Sequence, residues 1–175
     1  GSSPVKDTNY NPQLYYSLGE HYGYFWNLGL IEHLSNGQTG VRSRGLNSSY
    51  LQATRTLTFS SMEIDYGLKA YIIYRKDNGS QDIVDYEGIW RGFVRVKNFM
   101  SSYYSLYHAA ELRVSPGGVW GTDFSNGNLE LNLYMVPHPS AKFTVFGQVF
   151  TGRNEYLLDN KDYHLSYRLG LSIYI

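Results

Sequence analysis

The chain has 175 residues, with 15 Lys and Arg balanced by 15 Asp and Glu, and it contains no cysteine. A neutral chain without a basic stripe is a poor nucleic-acid binder, so no nucleic-acid partner is expected. The lack of cysteine excludes a disulfide framework, a thiol nucleophile and a Cys-ligated metal. The 18 Tyr and 18 Gly suit many strands and tight turns, and no window holds the ~20 consecutive apolar residues of a membrane-spanning helix.

Apolar and polar residues alternate with a period of two along almost the whole chain. About nine strands are predicted, near residues 13–23, 25–35, 47–59, 62–75, 86–99, 103–115, 127–137, 141–151 and 162–175. Turn-forming sequences separate the runs, among them Asp77-Asn78-Gly79-Ser80, Pro116-Gly117-Gly118 and Asn126-Gly127-Asn128. No segment has the pattern of a long amphipathic helix.

Two architectures fit an all-β chain whose strands have one apolar and one charged face. In a soluble sandwich or barrel the apolar faces turn inward, whereas in a transmembrane barrel they meet lipid and the polar faces line the interior. The runs reach about ten residues, near the ~9–11 of a tilted membrane strand, and Tyr and Trp collect near the run ends, as in interfacial girdles. The pattern favours an antiparallel transmembrane β-barrel, and a soluble barrel that binds a ligand stays open.

Charged residues in the predicted strands are expected to face the interior. Arg91, Arg95 and Lys97 are expected to pair there with acids such as Glu111 and Glu130.

Other polar residues have simpler expected roles. Arg55 has the parity of the lipid-facing residues, so a bulge or a position near the lipid headgroups would be needed to accommodate it. The scattered histidines are expected at the surface or rim: His21, His108, His138 and His164. An acidic loop containing Asp77, Asp82 and Asp85 is most simply solvated, with a secondary calcium site as the alternative.

A histidine, a serine and an asparagine fall at a spacing that suits a catalytic triad. Ser35 follows His33 by two residues, so both side chains project from the same face of a strand. Asn47 comes fourteen residues after His33, across the turn that begins at Asn36. A Ser-His pair oriented by a third polar group is the basic arrangement for acyl transfer. If Glu32 faces a polar interior, the pair faces lipid.

This region resembles outer membrane phospholipase A, a family of calcium-dependent serine hydrolases on a twelve-stranded barrel. The resemblance is carried by Ser2-Ser3-Pro4, Thr8-Asn9-Tyr10-x-Pro12-Gln13, His33-x-Ser35-Asn36-Gly37 and Ser43-Arg44-x-x-Asn47. It implies that residues 1–175 are a single barrel domain in the bacterial outer membrane, the C-terminal part of a twelve-stranded barrel whose three N-terminal strands are absent. It also implies a phospholipase A1/A2 that cleaves phospholipids and lysophospholipids.

The resemblance implies a role for each residue of the triad. Ser35 would be the nucleophile and His33 the base, with Asn47 holding the imidazole in its productive tautomer. The backbone N–H of Ser35, together with water bound to calcium, would stabilise the oxyanion.

The resemblance also implies Ca²⁺ at the interface of a calcium-assisted homodimer. The carried-over ligands are the Ser43 hydroxyl, the Gln38 carbonyl and the Ser2 carbonyl of the partner subunit, and a set of oxygen ligands suits Ca²⁺.

The chain departs from the family pattern near these positions. Leu34 and Gln38 replace a more polar and a basic residue, and Gly45-Leu46 replace a Ser-Trp pair. The alternative function is a non-enzymatic outer-membrane barrel, porin-like or structural, in which the His-Ser-Asn arrangement is coincidental.

Overall fold

The alternating pattern folds into nine antiparallel strands, each paired with the next along the chain in one sheet. The structure, a computed structural model, describes residues 10–39, 43–77, 82–100, 106–153, 155 and 161–173. Its elements are β1 (Gln13–His21), β2 (Tyr24–Ser35), β3 (Gly45–Phe59), β4 (Met62–Lys76), α1 (Val84–Glu87), β5 (Trp90–Lys97), β6 (His108–Gly117), β7 (Asp123–Met135), β8 (Phe143–Gly152) and β9 (His164–Ile173). The prediction of an all-β antiparallel fold is confirmed.

The sheet curves around a polar interior. Glu32 of β2, Arg91 of β5 and Arg168 of β9 line one cavity of 240 Å³. Within the described residues β1 and β9 each have a single strand neighbour, so the sheet is not closed. The β1–β2 and β3–β4 turns at one end have two residues each, while the β2–β3, β4–β5 and β8–β9 connections at the other end have nine or more. The ten-residue β5–β6 connection at the first end and the five-residue β6–β7 connection at the second do not follow this division.

No helix in the described part of the chain is long and apolar enough to cross a membrane.

Buried and exposed residues are distributed as in a barrel that meets lipid. Large apolar side chains at alternate positions of β7 are exposed on the outer face: Leu129, Leu131 and Leu133. Polar side chains are buried inside: Glu32, Ser48, Asp65, Glu111 and Asn132. This inversion of the soluble pattern is expected where the outer face is solvated by hydrocarbon.

A buried carboxylate holds two arginines together in the middle of the interior. Glu111 on β6 is only 1% exposed. Its Oε2 accepts a hydrogen bond from Arg95 Nε at 2.7 Å, and its Oε1 lies 2.5 Å from Arg113 Nε. The predicted pairing of Arg95 with Glu111 is therefore confirmed.

The other two cations of the predicted set, Arg91 and Lys97, have partners that differ from the predicted acids. Arg91 pairs with Glu87 of α1 at 3.0 Å. Lys97 pairs with Asp65 at 2.8 Å and with Glu63 at 3.1 Å. Glu87 precedes Arg91 by four residues, and the β4–β5 register places Glu63 opposite Lys97.

The strand predicted from residue 86 begins later because a helical turn intervenes. The turn α1 ends at Gly88, whose φ of 68° is a left-handed conformation that glycine adopts readily. A Cβ at Gly88 would lie 1.9 Å from the Pro116 carbonyl oxygen, so the close approach of the β4–β5 connection to β6 also requires glycine. Ile83, before the helix, is fully buried and packs with Leu46 of β3.

The turn predicted at residues 126–128 is wrong, because these residues lie inside β7 and the connection precedes Asp123. Gly127 is needed there for packing, since a Cβ would lie 2.3 Å from the Ser115 carbonyl oxygen of β6. The strand predicted at 103–115 begins at His108, and its residues 103–105, like residues 174–175 of the last strand, lie outside the described residues.

The expected surface position of His108 is also wrong. The side chain is 1% exposed. Its Nε2 accepts a hydrogen bond from the Met100 backbone N–H at 2.7 Å, and Nδ1 lies 2.8 Å from the Leu106 carbonyl oxygen. The ring thus satisfies backbone groups of the β5–β6 connection.

A bulge in β2 changes which residues face outward near the end of that strand. Gly29 pairs with Tyr50 and Glu32 pairs with Ser48, so three steps along β2 match two steps along β3. Such an extra residue reverses the parity of every side chain beyond it. Odd-numbered residues of β2 face inward up to Gly29 and outward after the bulge.

The extra residue leaves two consecutive side chains outside. Leu30 and Ile31 are 48% and 49% exposed. The Ser49 hydroxyl of β3 donates a hydrogen bond to the Leu30 carbonyl oxygen at 2.9 Å, which satisfies a backbone group that the bulge removes from the regular ladder.

The bulge predicts an unusual pattern of lipid exposure. Because the chain has no cysteine, single variants can be labelled with bimane and quenched with brominated lipid. We expect strong quenching for both Leu30→Cys and Ile31→Cys. In the regular control pair on β7, only Leu131→Cys should be quenched and Asn132→Cys should not. Protection of the label in Ile31→Cys would contradict the bulge.

The interior network predicts a large effect on stability. Glu111→Ala should lower the free energy of unfolding by about 3 kcal/mol, because it leaves the Arg95 guanidinium group without its counter-charge and Arg113 with only its longer contact to Glu130 at 3.7 Å. The control is Glu63→Ala, since the Glu63 side chain is 41% exposed and Lys97 keeps its contact with Asp65. Urea unfolding in lipid vesicles, followed by intrinsic fluorescence, measures both. Equal losses in the two variants would contradict the central role of Glu111.

Candidate active site

The structure brings His33 and Asn47 together across the β2–β3 ladder. The two residues are register partners, and His33 Nδ1 lies 2.5 Å from Asn47 Oδ1. Since an amide oxygen only accepts, the imidazole proton is assigned to Nδ1 and Nε2 is left as a free base. The pair has the tautomer that a general base requires.

Ser35 lies two residues beyond His33 on the same outer face of β2. It pairs with Gly45 at the start of β3, and its side chain is half-buried. Among the described contacts no hydrogen bond joins the Ser35 hydroxyl to His33. Catalytic hydrogen bonds of this kind often tighten only when substrate binds. The structure therefore joins His33 directly to Asn47 and places Ser35, the candidate nucleophile, on the same face of the strand.

The backbone N–H of Ser35 is expected to be free to donate to an oxyanion, but in the structure it already has an acceptor. It donates a hydrogen bond to the Tyr10 carbonyl oxygen at 2.9 Å, and the Tyr10 N–H returns one to the Ser35 carbonyl at 2.7 Å. A Cβ at Gly37 would lie 2.7 Å from the Tyr10 ring, so this glycine lets the ring approach the turn. The Ser35 donor becomes available only when Tyr10 moves.

Asn36 links the two ends of the loop that follows β2 through hydrogen bonds. Its side-chain oxygen accepts hydrogen bonds from the backbone N–H groups of Arg44 at 3.0 Å and Gln38 at 3.3 Å. Its own N–H donates to the Arg44 carbonyl oxygen at 3.0 Å. The segment that carries Gln38 is thereby held beside Ser43, and residues 40–42 lie outside the described part of the chain.

A carboxylate lies next to the Ser43 hydroxyl. Ser43 Oγ donates to Asp77 Oδ2 at 2.9 Å, and the Asp77 N–H donates to the Gly45 carbonyl at 3.0 Å. A Cβ at Gly45 would lie 3.0 Å from Asp77 Oδ2, so the glycine that replaces the family's serine leaves room for this carboxylate. The sequence identifies Asp77 only as part of an acidic loop. Its hydrogen bond with Ser43 shows that it lies next to the candidate metal site.

Only part of the acidic loop is as solvated as expected, since Asp85 is exposed whereas Asp77 and Asp82 are half-buried. Asp82 pairs with Lys161 of the β8–β9 connection at 2.6 Å, and this hydrogen bond raises the pKa of the Lys161 ammonium group. Asp85 belongs to α1.

The donors around Ser43 are suited to a hard cation. A hydroxyl, a carboxylate and a nearby backbone carbonyl are oxygen ligands of the kind that Ca²⁺ takes. Among the described residues no three His, Asp or Glu side chains are grouped to hold a metal. A cation here would therefore depend on hydroxyl and carbonyl oxygens in addition to the single carboxylate of Asp77. Ser2, the third ligand that the resemblance implies, lies outside the described residues.

The inner face of β2 fixes the strand behind the site. Glu32 points into the interior, as expected from its parity, and forms an ion pair with Lys69 at 2.7 Å. The same carboxylate accepts hydrogen bonds from Asn11 at 3.0 Å and Gln13 at 3.1 Å. Lys69 also lies 3.7 Å from the centre of the Tyr50 ring. These contacts tie β1, β2 and β4 together beneath the outward-facing pair.

Leu46 also points inward, away from Asn47. It is 5% exposed and packs in a small apolar cluster with Ile83 and Val84, against which Leu34 is also packed. This departure from the family pattern therefore lies beneath the site and away from the outer face that carries His33 and Asn47.

Comparison with known proteins identifies a family that matches almost the whole chain. The family model described as phospholipase A1 matches residues 1–174. The chain is 29% identical over 167 residues to the phospholipase A1 of Escherichia coli and to that of Salmonella typhimurium, covering 90% of this chain and 50% of each relative. The Klebsiella pneumoniae phospholipase A1 is 26% identical over 165 residues, with 90% of this chain and 51% of the relative covered.

Solved structures share the fold. Outer membrane phospholipase A from Escherichia coli superposes with a TM-score of 0.72 at 18% identity, over 98% of this chain and 62% of that one. The Salmonella typhi outer membrane phospholipase dimer with bound calcium has a TM-score of 0.70 at 20% identity, over 99% and 63%. An active-site Asn-to-Ala mutant of the Escherichia coli protein has a TM-score of 0.68 at 20% identity, over 99% and 63%.

The chain spans about half the length of the curated relatives that it matches. The family model nevertheless covers almost every residue, and the fold superposes on that of the solved structures. The chain belongs to the phospholipase A1 family.

Proposed function

We propose that the protein hydrolyses the acyl esters of phospholipids in the bacterial outer membrane, as a calcium-dependent phospholipase A1/A2 that also accepts lysophospholipids. The observation that carries this proposal is the His33–Asn47 hydrogen bond on the outer face, with Ser35 beside it on the same strand. Membership of the phospholipase A1 family supports the substrate class. A lipid-facing position gives the ester direct access from the membrane.

Each proton transfer in the reaction is assigned to His33. Its Nε2 removes the proton from Ser35 Oγ as that oxygen attacks the ester carbonyl carbon and forms a tetrahedral intermediate. The imidazolium then gives the proton to the departing glycerol oxygen as the C–O bond breaks, leaving an acyl-enzyme. Water, deprotonated by the same nitrogen, releases the fatty acid and restores Ser35.

Asn47 holds the imidazole during both transfers. Its side-chain oxygen keeps the proton on His33 Nδ1 and the base on Nε2. An amide performs the orienting role of the usual carboxylate without adding a formal negative charge to a surface that faces hydrocarbon, where charges are costly.

The Ser35 N–H stabilises the oxyanion once its hydrogen bond to the Tyr10 carbonyl oxygen is broken. A preorganised donor to the oxyanion is worth about 2.7–4 kcal/mol in the transition state, and the Ser35 N–H gives less than this because its hydrogen bond to Tyr10 must break first. The Tyr10 segment must therefore move away from the Ser35 N–H when substrate binds.

Ca²⁺ fits the oxygen donors at Ser43, Asp77 and the Gln38 carbonyl, with Ser2 of the partner subunit completing the set in a homodimer. When bound, it supplies positive charge that polarises a water molecule beside the developing oxyanion. The calcium-bound dimer of the Salmonella typhi relative supports this part of the proposal.

The first prediction for this function concerns the nucleophile. Ser35→Ala should reduce fatty-acid release from phospholipid in mixed micelles by about a thousand-fold, since the covalent route is lost. Asn47→Ala should cause a smaller loss in kcat, because the base keeps its position on the strand. The control is Ser172→Ala, which removes an exposed hydroxyl on the distant β9. Inactivity of the folded native protein would overturn the proposed enzymatic function and favour a structural or porin-like barrel.

The second prediction concerns the metal. Ser43→Ala should raise the Ca²⁺ concentration needed for half-maximal hydrolysis, with little change in the rate at saturating Ca²⁺, because one ligand is lost and the triad is intact. Activity is measured in Ca²⁺ titrations and with chelator. The matched control Ser125→Ala removes a hydroxyl that contacts only Asp123 among the described side chains. Activity that is unaffected by chelator would contradict the calcium site.

A further inference from the structure

Arg55 on β3 has an unusual position for a cation, because it is exposed on the outer face of the sheet. The bulge in β2 does not change its orientation, since the β3–β4 register is regular from Ser48 to Phe59. Its neighbours on β3 with the same parity are Ala53 and Leu57. The structure thus confirms the outward parity that the sequence predicts, and a cation on this face requires a partner or a polar depth.

Two tyrosines flank the guanidinium group. Tyr66 of β4 is the register partner of Arg55, and Tyr24 of β2 lies on its other side. The Arg55 guanidinium carbon is 5.6 Å from the centre of the Tyr24 ring. The Tyr24 and Tyr66 rings are 6.4 Å apart and meet edge to face at 88°. One cation and two phenols therefore converge on one point of the outer surface.

This point lies at the level where the membrane ends. A Cβ at Gly23, in the short β1–β2 turn, would be 3.9 Å from the Arg55 guanidinium carbon. The free backbone groups of such a turn need water or headgroups. Trp26, 6.4 Å from Tyr24, adds a third aromatic ring, and a belt of Trp and Tyr marks the lipid–water boundary. Arg55 is therefore at headgroup depth, at the end of the sheet opposite to His33.

Nothing within the described protein neutralises this cation. The inward-facing Arg91, Arg95 and Lys97 each form an ion pair with a carboxylate. No ion pair between Arg55 and an acid occurs among the described residues. The outer-face neighbours on β2, β3 and β4 are aromatic or aliphatic, so the complementary anion must come from outside the described part of the chain.

We propose that Arg55, Tyr24 and Tyr66 bind the phosphate group of a membrane glycerophospholipid in the leaflet at the short-turn end. A guanidinium group donates two parallel hydrogen bonds to phosphate oxygens, and phenolic hydroxyls add further donors. The small Ala53 side chain and the neighbouring Leu51 continue the outer surface toward the middle of the membrane, where the acyl chains lie. This site is separate from the triad and does not depend on hydrolysis.

The test uses the native protein, purified in neutral detergent and analysed by native mass spectrometry. The probe is an ether-linked phosphatidylglycerol, which has the phosphate diester and no hydrolysable acyl ester. A second arm uses the ether-linked diradylglycerol that lacks the phosphate, and a third uses inorganic phosphate alone. Arg55→Gln is compared with Lys142→Gln, which removes an exposed cation from the β7–β8 connection at the same end.

We expect Arg55→Gln to weaken retention of the phospholipid about tenfold, the loss of one charge-assisted pair, while Lys142→Gln changes it little. The double variant Tyr24→Phe/Tyr66→Phe should show an intermediate loss, because the guanidinium group remains. Retention of the phosphate-free lipid should be weak and independent of Arg55. Equal retention by Arg55→Gln and the native protein would overturn the proposal, as would binding of inorganic phosphate without binding of the phospholipid.

Folding of each variant is checked by gel electrophoresis of unheated samples, in which a folded variant migrates like the native protein. Because Arg55→Gln removes a cation from a surface that faces lipid, it is expected to fold at least as well as the native protein. Fatty-acid release measured on the same samples separates this site from the triad: loss of lipid retention with hydrolysis intact supports the phosphate site, whether or not Ser35 is the nucleophile.

Discussion

Parity along β2 is the constraint on which the candidate site depends. A strand between hydrocarbon and a polar interior presents each side chain to one of these two environments, and only an extra residue can change the assignment. The bulge at Leu30 and Ile31 makes this change between Gly29, which faces inward, and His33, which faces outward. Without it, the candidate base would point into the charged interior and away from a lipid substrate.

The interior holds this arrangement in place through paired charges. Glu32 pairs with Lys69 and accepts hydrogen bonds from Asn11, before β1, and Gln13, at its start. Farther along the sheet, Glu111 pairs with Arg95 and Arg113. Each carboxylate connects several strands, so the curvature and register of the sheet are coupled. The outer face can then carry polar groups at selected places while the bulk of it remains apolar.

Two such places occur at opposite ends of β3. At the loop end Asn47 supports the candidate catalytic histidine, and at the turn end Arg55 lies between tyrosines at headgroup depth. Both are exceptions to an apolar outer surface, and both have a stated interaction that offsets the cost of a polar group there. In the first case this is a hydrogen bond within the protein, and in the second it is a proposed lipid phosphate.

The sequence by itself determined the strand pattern, the inside-out faces and the proximity of His33, Ser35 and Asn47, because these follow from period-two alternation and spacing across one turn. It also carried the family resemblance. It could not determine that Ser43 meets Asp77, that Arg91 pairs with Glu87 or that the Ser35 N–H is engaged by Tyr10. Those contacts depend on strand register, on a helical turn that ends at Gly88 and on close backbone approaches, which arise only when distant segments pack together.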